Sequence, residues 1–225
     1  MYRQIPNQLT LLRLVLAAVF FVVLNQYRYA GGSSESLLPV AIGIFILAAV
    51  TDALDGYLAR RWQVESTFGR IMDPFCDKVL IIGAFIYLAG PRFVIPSAVD
   101  DADVLVMVTG VYPWMVAIIL ARELLVTSVR GELEGKGVEF GAGLSGKLKM
   151  ILQSIAIPVV LAIVYVDPGR SGWTWLGPVR DVLVYTTVIV TLISGLPYIQ
   201  RAVQAVRVER LKKDEPQRHR GTGEG

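Results

Sequence analysis

Between residues 8 and 205 the chain alternates long apolar runs with short polar breaks, and this alternation restricts its fold more than any other feature. A helix needs about 20 mostly apolar residues to cross the hydrocarbon core of a bilayer. Six runs qualify, at about 8–27, 37–60, 68–90, 104–131, 146–166 and 179–205. The breaks, among them YRYAGGSSES, GPRFVIPSAVDDAD and DPGRSGWTWLGP, are rich in Gly, Ser, Pro and charge and read as loops. Lipid offers the backbone no hydrogen-bond partner, so helices that satisfy themselves are what it permits. The expected architecture is an all-α integral membrane protein with six transmembrane helices and a short amphipathic N-terminal segment. Charged residues make up 18% of the chain, against about 25% in soluble domains. The first apolar run has the basic start of a secretory signal, but five more runs follow, so it reads as a retained span.

Charge gives the orientation. Of the 22 Lys and Arg residues, only Arg28, Arg92, Arg170 and Arg180 fall on the side opposite the termini. The positive-inside bias places both termini in the cytoplasm. A basic inner face suits anionic headgroups and phosphorylated substrates, and with no soluble basic domain nucleic acid is not an expected partner. The chain reads as one membrane domain over residues 1–205 and a basic tail over 206–225, which continues briefly as helix and becomes disordered past Pro216. The single cysteine, Cys76, excludes an intramolecular disulfide and reads as packing. The single histidine, His219, lies in the tail, which argues against a His-based zinc site or a Ser-His-Asp triad.

One stretch resists its apolar surroundings: TDALDGYLARRWQVESTFGRIMDPFCDK, residues 51–78. On a helix, Asp55, Gly56 and Ala59 lie at about −60°, +40° and −20° from Asp52, so all four share one face. Gly69, Asp73 and Asp77 repeat the device at four-residue intervals on the next helix. A short turn joins the two helices, which are therefore expected to be antiparallel neighbours with facing acidic surfaces. Four converging carboxylates repel one another strongly unless cations intervene. Hard oxygen ligands without Cys or His favour Mg²⁺ or Mn²⁺, and four carboxylates suffice for two ions. Aspartates that merely capped helices or faced water would not need glycines on the same faces.

The spacing D-x2-D-G-x2-A-R-x8-G-x3-D-x3-D, unbroken from Asp52 to Asp77, resembles the signature of the CDP-alcohol phosphotransferases, integral membrane enzymes that make phospholipids. The resemblance implies six helices around a cytoplasm-facing polar cavity that binds a CDP-linked donor. It also implies that Asp52, Asp55, Asp73 and Asp77 hold two divalent cations across the donor diphosphate. Asp77 would be the catalytic base toward the acceptor hydroxyl. Gly56, Ala59, Arg60, Thr67 and Gly69 would contact the CDP donor. Homodimers are common among such enzymes.

Two further segments bear on the acceptor. IPNQLTLLRLVLAAVFF and ARELLVTSVRGELEGKGVEFGAGLSGKLKM are similar to matching parts of bacterial phosphatidylglycerophosphate synthases, including Pro6, Asn7, Thr10, Arg13, Arg122, Glu123, Arg130, Lys147 and Lys149. DPFCDK follows their DPxADK pattern with Cys76 in place of alanine. Independently of any family, Arg122 and Arg130 lie some 80° apart around one helix, and Lys147 and Lys149 open the next. These cations suit a second, acceptor-borne phosphate, with Glu123 expected to pair an arginine. The implied reaction transfers a phosphatidyl group from CDP-diacylglycerol to sn-glycerol 3-phosphate in a bacterial cytoplasmic membrane. Rival readings are another acceptor with the same donor (giving cardiolipin, phosphatidylinositol phosphate or phosphatidylserine) and a divalent-cation transporter. The transporter would need acidic residues in several other spans, where they are scarce.

Overall fold

In helix α1 (Ile5–Gln26) the buried positions are Thr10, Arg13, Ala17, Phe20 and Leu24, a stripe at spacings of three and four. Helix α2 (Leu37–Trp62) carries a matching stripe in Leu38, Ala41, Phe45 and Ala48, and α3 (Thr67–Leu88) carries Leu80, Ala84 and Leu88. These stripes meet. Phe20 and Phe45 approach with ring centroids 5.5 Å apart, and Phe21 stacks on Tyr87 at 5.4 Å. Gly83 gives Phe21 its room, since a Cβ there would lie 2.3 Å from the ring.

The computed structural model describes residues 5–29, 36–62, 67–95, 106–135, 144–166 and 175–214. The remaining elements are a 3-10 turn at Pro91–Phe93, α4 (Pro113–Gly135), α5 (Leu144–Val166), α6 (Leu176–Ile193) and α7 (Leu196–Asp214). Among the described residues there is no strand, only an isolated bridge between Val94 and Met107. Helix α1 packs against both α2 and α3, α5 packs against α2 and α6, and α4 packs against α6 and α7. Helix α1 bridges α2 and α3, its Phe20 meeting Phe45 of α2 and its Phe21 meeting Tyr87 of α3.

Four stretches are long and apolar enough to cross a membrane: Gln8–Gln26, Leu37–Leu54, Gly146–Val166 and Leu176–Gln204. Their outward faces are apolar, with Val15, Val22, Leu47, Ile155 and Ile189 among the exposed side chains, as lipid requires. Helices α3 and α4, with 22 and 23 residues, are also long enough. They carry Asp73, Asp77 and Lys78, and Arg122, Glu123 and Arg130, within their lengths, which lowers their hydropathy. Trp114 and Trp175 are both exposed beside helix starts, as suits side chains at a membrane–water interface.

Two span boundaries differ from the apolar pattern. The fourth apolar run was expected to be helical from residue 104, but residues 106–112 are irregular and α4 begins at Pro113. Here Ile95 donates to the Val106 carbonyl at 2.9 Å, and Val108 donates to that of Phe93 at 2.8 Å. The Thr109 hydroxyl donates to the terminal carbonyl of α3, Leu88, at 2.7 Å. Gly110 then turns with φ +66°, and a Cβ on it would lie 2.7 Å from the Asp181 carboxylate. Apolar content alone does not reveal a segment stabilised by these contacts. Gly110→Ala is expected to lower stability by about 1–2 kcal/mol from the left-handed backbone alone, read as a fall in thermal midpoint in detergent.

The sixth run, expected as one helix over 179–205, breaks at Ser194–Gly195. Pro197 has no N–H, and the Tyr198 N–H turns to the Gly195 carbonyl at 3.1 Å. In an unbroken helix that N–H would have bonded to Ser194. The basic tail continues as α7 to Asp214, and residues 215–225 lie outside the described residues.

Candidate active site

Each packing stripe contains or adjoins a charged residue. Asp52 follows Ala48 by one turn on α2, Asp77 precedes Ile81 by one turn on α3, and Arg13 lies within the α1 stripe. These three side chains line one cavity of about 240 Å³. Its other walls are mainly apolar, built by Phe45 and Ala48 of α2, Leu80 of α3, and Ile151 and Ile155 of α5. α2 and α3 thus both contribute walls to this space.

Arg13 is 1% exposed and its Nη1 lies 2.6 Å from Oδ1 of Asp52, which is 40% exposed. A guanidinium so deeply buried is tolerated only with a charged or strongly polar partner. Asp77 lies within electrostatic range of Asp52, Arg13, Lys149 and Glu123. It accepts no hydrogen bond from the described residues, so its carboxylate remains available to a ligand.

Beside this cavity lies a second buried cluster. The Glu123 carboxylate accepts from Arg122 Nη1 at 3.0 Å and from the Lys149 ammonium. Arg122 also donates to the Ser194 carbonyl at 3.3 Å, the group released by the helix break. Its guanidinium carbon lies 6.0 Å from the Tyr198 ring centroid, within cation–π reach. The expected Glu123–arginine pair is therefore present, and Lys149 joins it. On the same turn of α4 the Thr127 hydroxyl donates to the Glu123 carbonyl at 2.7 Å and accepts from Lys78, the neighbour of Asp77.

The four cations read from sequence as acceptor ligands have different settings. Arg122 and Lys149 are buried and bound to Glu123, Arg130 is half-buried, and Lys147 is exposed at the start of α5. Gly56 is half-buried on α2. The side chains of Asp55, Ala59, Arg60, Thr67 and Asp73, and residue Gly69, lie outside what is described, although all six fall within α2 or α3. Arg13 received no role from the sequence. The signal was there: an arginine on the buried stripe of an apolar helix needs an anionic partner.

The profile of the CDP-alcohol phosphatidyltransferases matches residues 3–194. The chain belongs to this family. It is thus a transferase of phospholipid biosynthesis, and its apolar helices fit a membrane protein. A "probable phosphatidylglycerophosphate synthase" of Mycobacterium tuberculosis is 35% identical to this CDP-alcohol phosphatidyltransferase, over 90% of this chain and 83% of its own. Two proteins named CDP-diacylglycerol–glycerol-3-phosphate 3-phosphatidyltransferase are each 30% identical. That of Bacillus subtilis covers 90% of this chain and 97% of its own, and that of Cereibacter sphaeroides 92% and 98%.

The donor set suits a hard divalent cation. Asp52 and Asp77 reach one cavity from two helices, Asp77 is unengaged by hydrogen bonds, and only one oxygen of Asp52 is taken by Arg13 among the described residues. No cluster of three or more His, Cys, Asp or Glu side chains occurs among the described residues. The remaining signature carboxylates, Asp55 and Asp73, lie within one turn of Asp52 and Asp77 along their helices.

Proposed function

We propose that this phosphatidyltransferase moves the phosphatidyl group of CDP-diacylglycerol onto sn-glycerol 3-phosphate, giving phosphatidylglycerophosphate and CMP. The observation that carries the reading is the mixed lining of the cavity: the charged Asp52, Asp77 and Arg13 together with apolar side chains of α2 and α5. A lipid-linked diphosphate combines the same two chemistries. The names of the relatives favour glycerol 3-phosphate as acceptor, and the Arg122–Glu123–Lys149 cluster lies within electrostatic reach of Asp77.

Asp52, Asp55, Asp73 and Asp77 are the residues that would hold two Mg²⁺ or Mn²⁺ ions. Such ions neutralise charge on the diphosphate and on departing CMP. Asp77 takes the proton of the acceptor's 1-hydroxyl as that oxygen bonds to the phosphorus of the phosphatidyl group. The bond from this phosphorus to the CMP oxygen breaks in the same displacement. Arg122, Arg130, Lys147 and Lys149 supply positive charge for the acceptor phosphate, with Gly56, Ala59, Arg60, Thr67 and Gly69 along the donor. Both termini then face the cytoplasm of a bacterial cell, with α1 to α6 as six spans; the lengths of α3 and α4 support this count.

Purified protein supplied with CDP-diacylglycerol, Mg²⁺ and a panel of acceptors tests the reading by mass spectrometry of the lipid products. Phosphatidylglycerophosphate is expected with glycerol 3-phosphate, and chelation by EDTA should abolish it. Product formed only from inositol phosphate, serine or phosphatidylglycerol would replace the acceptor assigned here.

A further inference from the structure

We propose that Glu123 is a positioning residue of acceptor binding: its carboxylate fixes the Lys149 ammonium and so sets the affinity for the acceptor phosphate. This rests on the reading of the acceptor given above.

A lysine carries its charge on a flexible four-carbon stem, and several rotatable bonds must be fixed before that charge has a defined place. Lys149 is buried, yet its ammonium has a defined partner in Glu123 across from α5. Glu123 is itself held. Arg122 grips the same oxygen at 3.0 Å and is anchored in turn by the Ser194 carbonyl at 3.3 Å. A Cβ on Gly195 would lie 3.3 Å from Arg122 Cγ, so the glycine at the helix break leaves room for the arginine stem. From α4, the Thr127 hydroxyl ties the Glu123 backbone to Lys78, one residue from Asp77. The ion pairs and hydrogen bonds therefore run from the α6–α7 break, through Arg122 and Glu123, to a lysine within electrostatic reach of Asp77.

The charge balance suits this role. Two cations share one carboxylate, leaving a net positive charge in a buried place. An ammonium has three N–H donors. One points to Glu123, and among the described residues the others have no partner, which leaves them for an incoming phosphate. Neither Glu123 nor Arg122 needs to touch the substrate for the phosphate to depend on both.

The test compares the full-length wild-type enzyme with Glu123→Gln, Lys149→Gln and the double variant, in Mg²⁺-containing mixed micelles. KM is measured for each substrate and the thermal midpoint for each protein. Glu123→Gln should raise KM for glycerol 3-phosphate about tenfold or more, the effect of losing one charge-assisted hydrogen bond. KM for CDP-diacylglycerol should stay within about twofold, since the donor does not rely on Lys149. In the Lys149→Gln background the second substitution should add almost nothing, because Glu123 acts through Lys149. If Glu123→Gln does not fold, Glu123→Asp serves in the same cycle; its shorter carboxylate should give a smaller rise in the same KM. An unchanged KM for glycerol 3-phosphate, parallel changes in both KM values, or losses that multiply in the double variant overturn the proposal. A wild-type enzyme that makes no product from glycerol 3-phosphate overturns the acceptor reading itself, and is recognised before any variant is compared.

Discussion

Asp77→Asn should reduce kcat by about a thousandfold or more while leaving the fold intact. General-base catalysis contributes about 10²–10⁴ in rate, and this substitution also removes one carboxylate from the proposed cation site. The isosteric amide keeps the shape of the cavity. Asp77 accepts no hydrogen bond from the described residues, so no visible structural contact is broken with it, and the Arg13–Asp52 pair is untouched. The thermal midpoint in detergent should therefore stay close to that of the wild type. CMP release under saturating substrates is the readout. A variant that retains a tenth of the wild-type rate removes Asp77 from the chemistry and leaves only an electrostatic role.

Removing Asp52 and removing Arg13 should have unequal effects, although the two side chains form one ion pair. Arg13 is 1% exposed and Asp52 is 40% exposed. Truncating Asp52 to Ala takes this carboxylate away from a buried guanidinium, so a loss of stability is expected. Truncating Arg13 to Met leaves a carboxylate that still reaches water, and the methionine refills much of the volume, so a smaller loss is expected. Thermal midpoints should fall in the order wild type, Arg13→Met, Asp52→Ala. The double variant should be more stable than the sum of the single losses implies, because both substitutions break the same ion pair. Equal losses, or additive ones, would mean that the pair contributes little to this fold. Both variants should also lose activity, Asp52→Ala more severely, since Asp52 is a proposed cation ligand and Arg13 acts through it.

Much of this was legible in the chain before any coordinates. The apolar runs gave the helices in the right order, because burial in lipid or in a helix core selects the same residues locally. The aspartate signature named the family, and a profile match over residues 3–194 agrees. Glu123 was expected to pair an arginine, and it does. Two helix ends were misplaced for one reason. Apolar content does not register that Gly110 requires a left-handed turn or that Pro197 withholds an N–H from the preceding turn. That α2 and α3 both contribute to the site was anticipated, but not that α1 packs against both of them.

Periodicity along a helix and the chemistry of hard oxygen ligands are local properties, and the sequence by itself determined from them an all-helical chain with acidic residues on the inner faces of α2 and α3. Which charges meet is not local. Arg13 of α1 reaches Asp52 of α2, and Lys149 of α5 reaches Glu123 of α4, and each contact follows from how the helices are stacked. Only the tertiary structure decided that the first helix completes the aspartate site and that one glutamate holds two of the cations, because a buried charge takes the partner that packing brings to it.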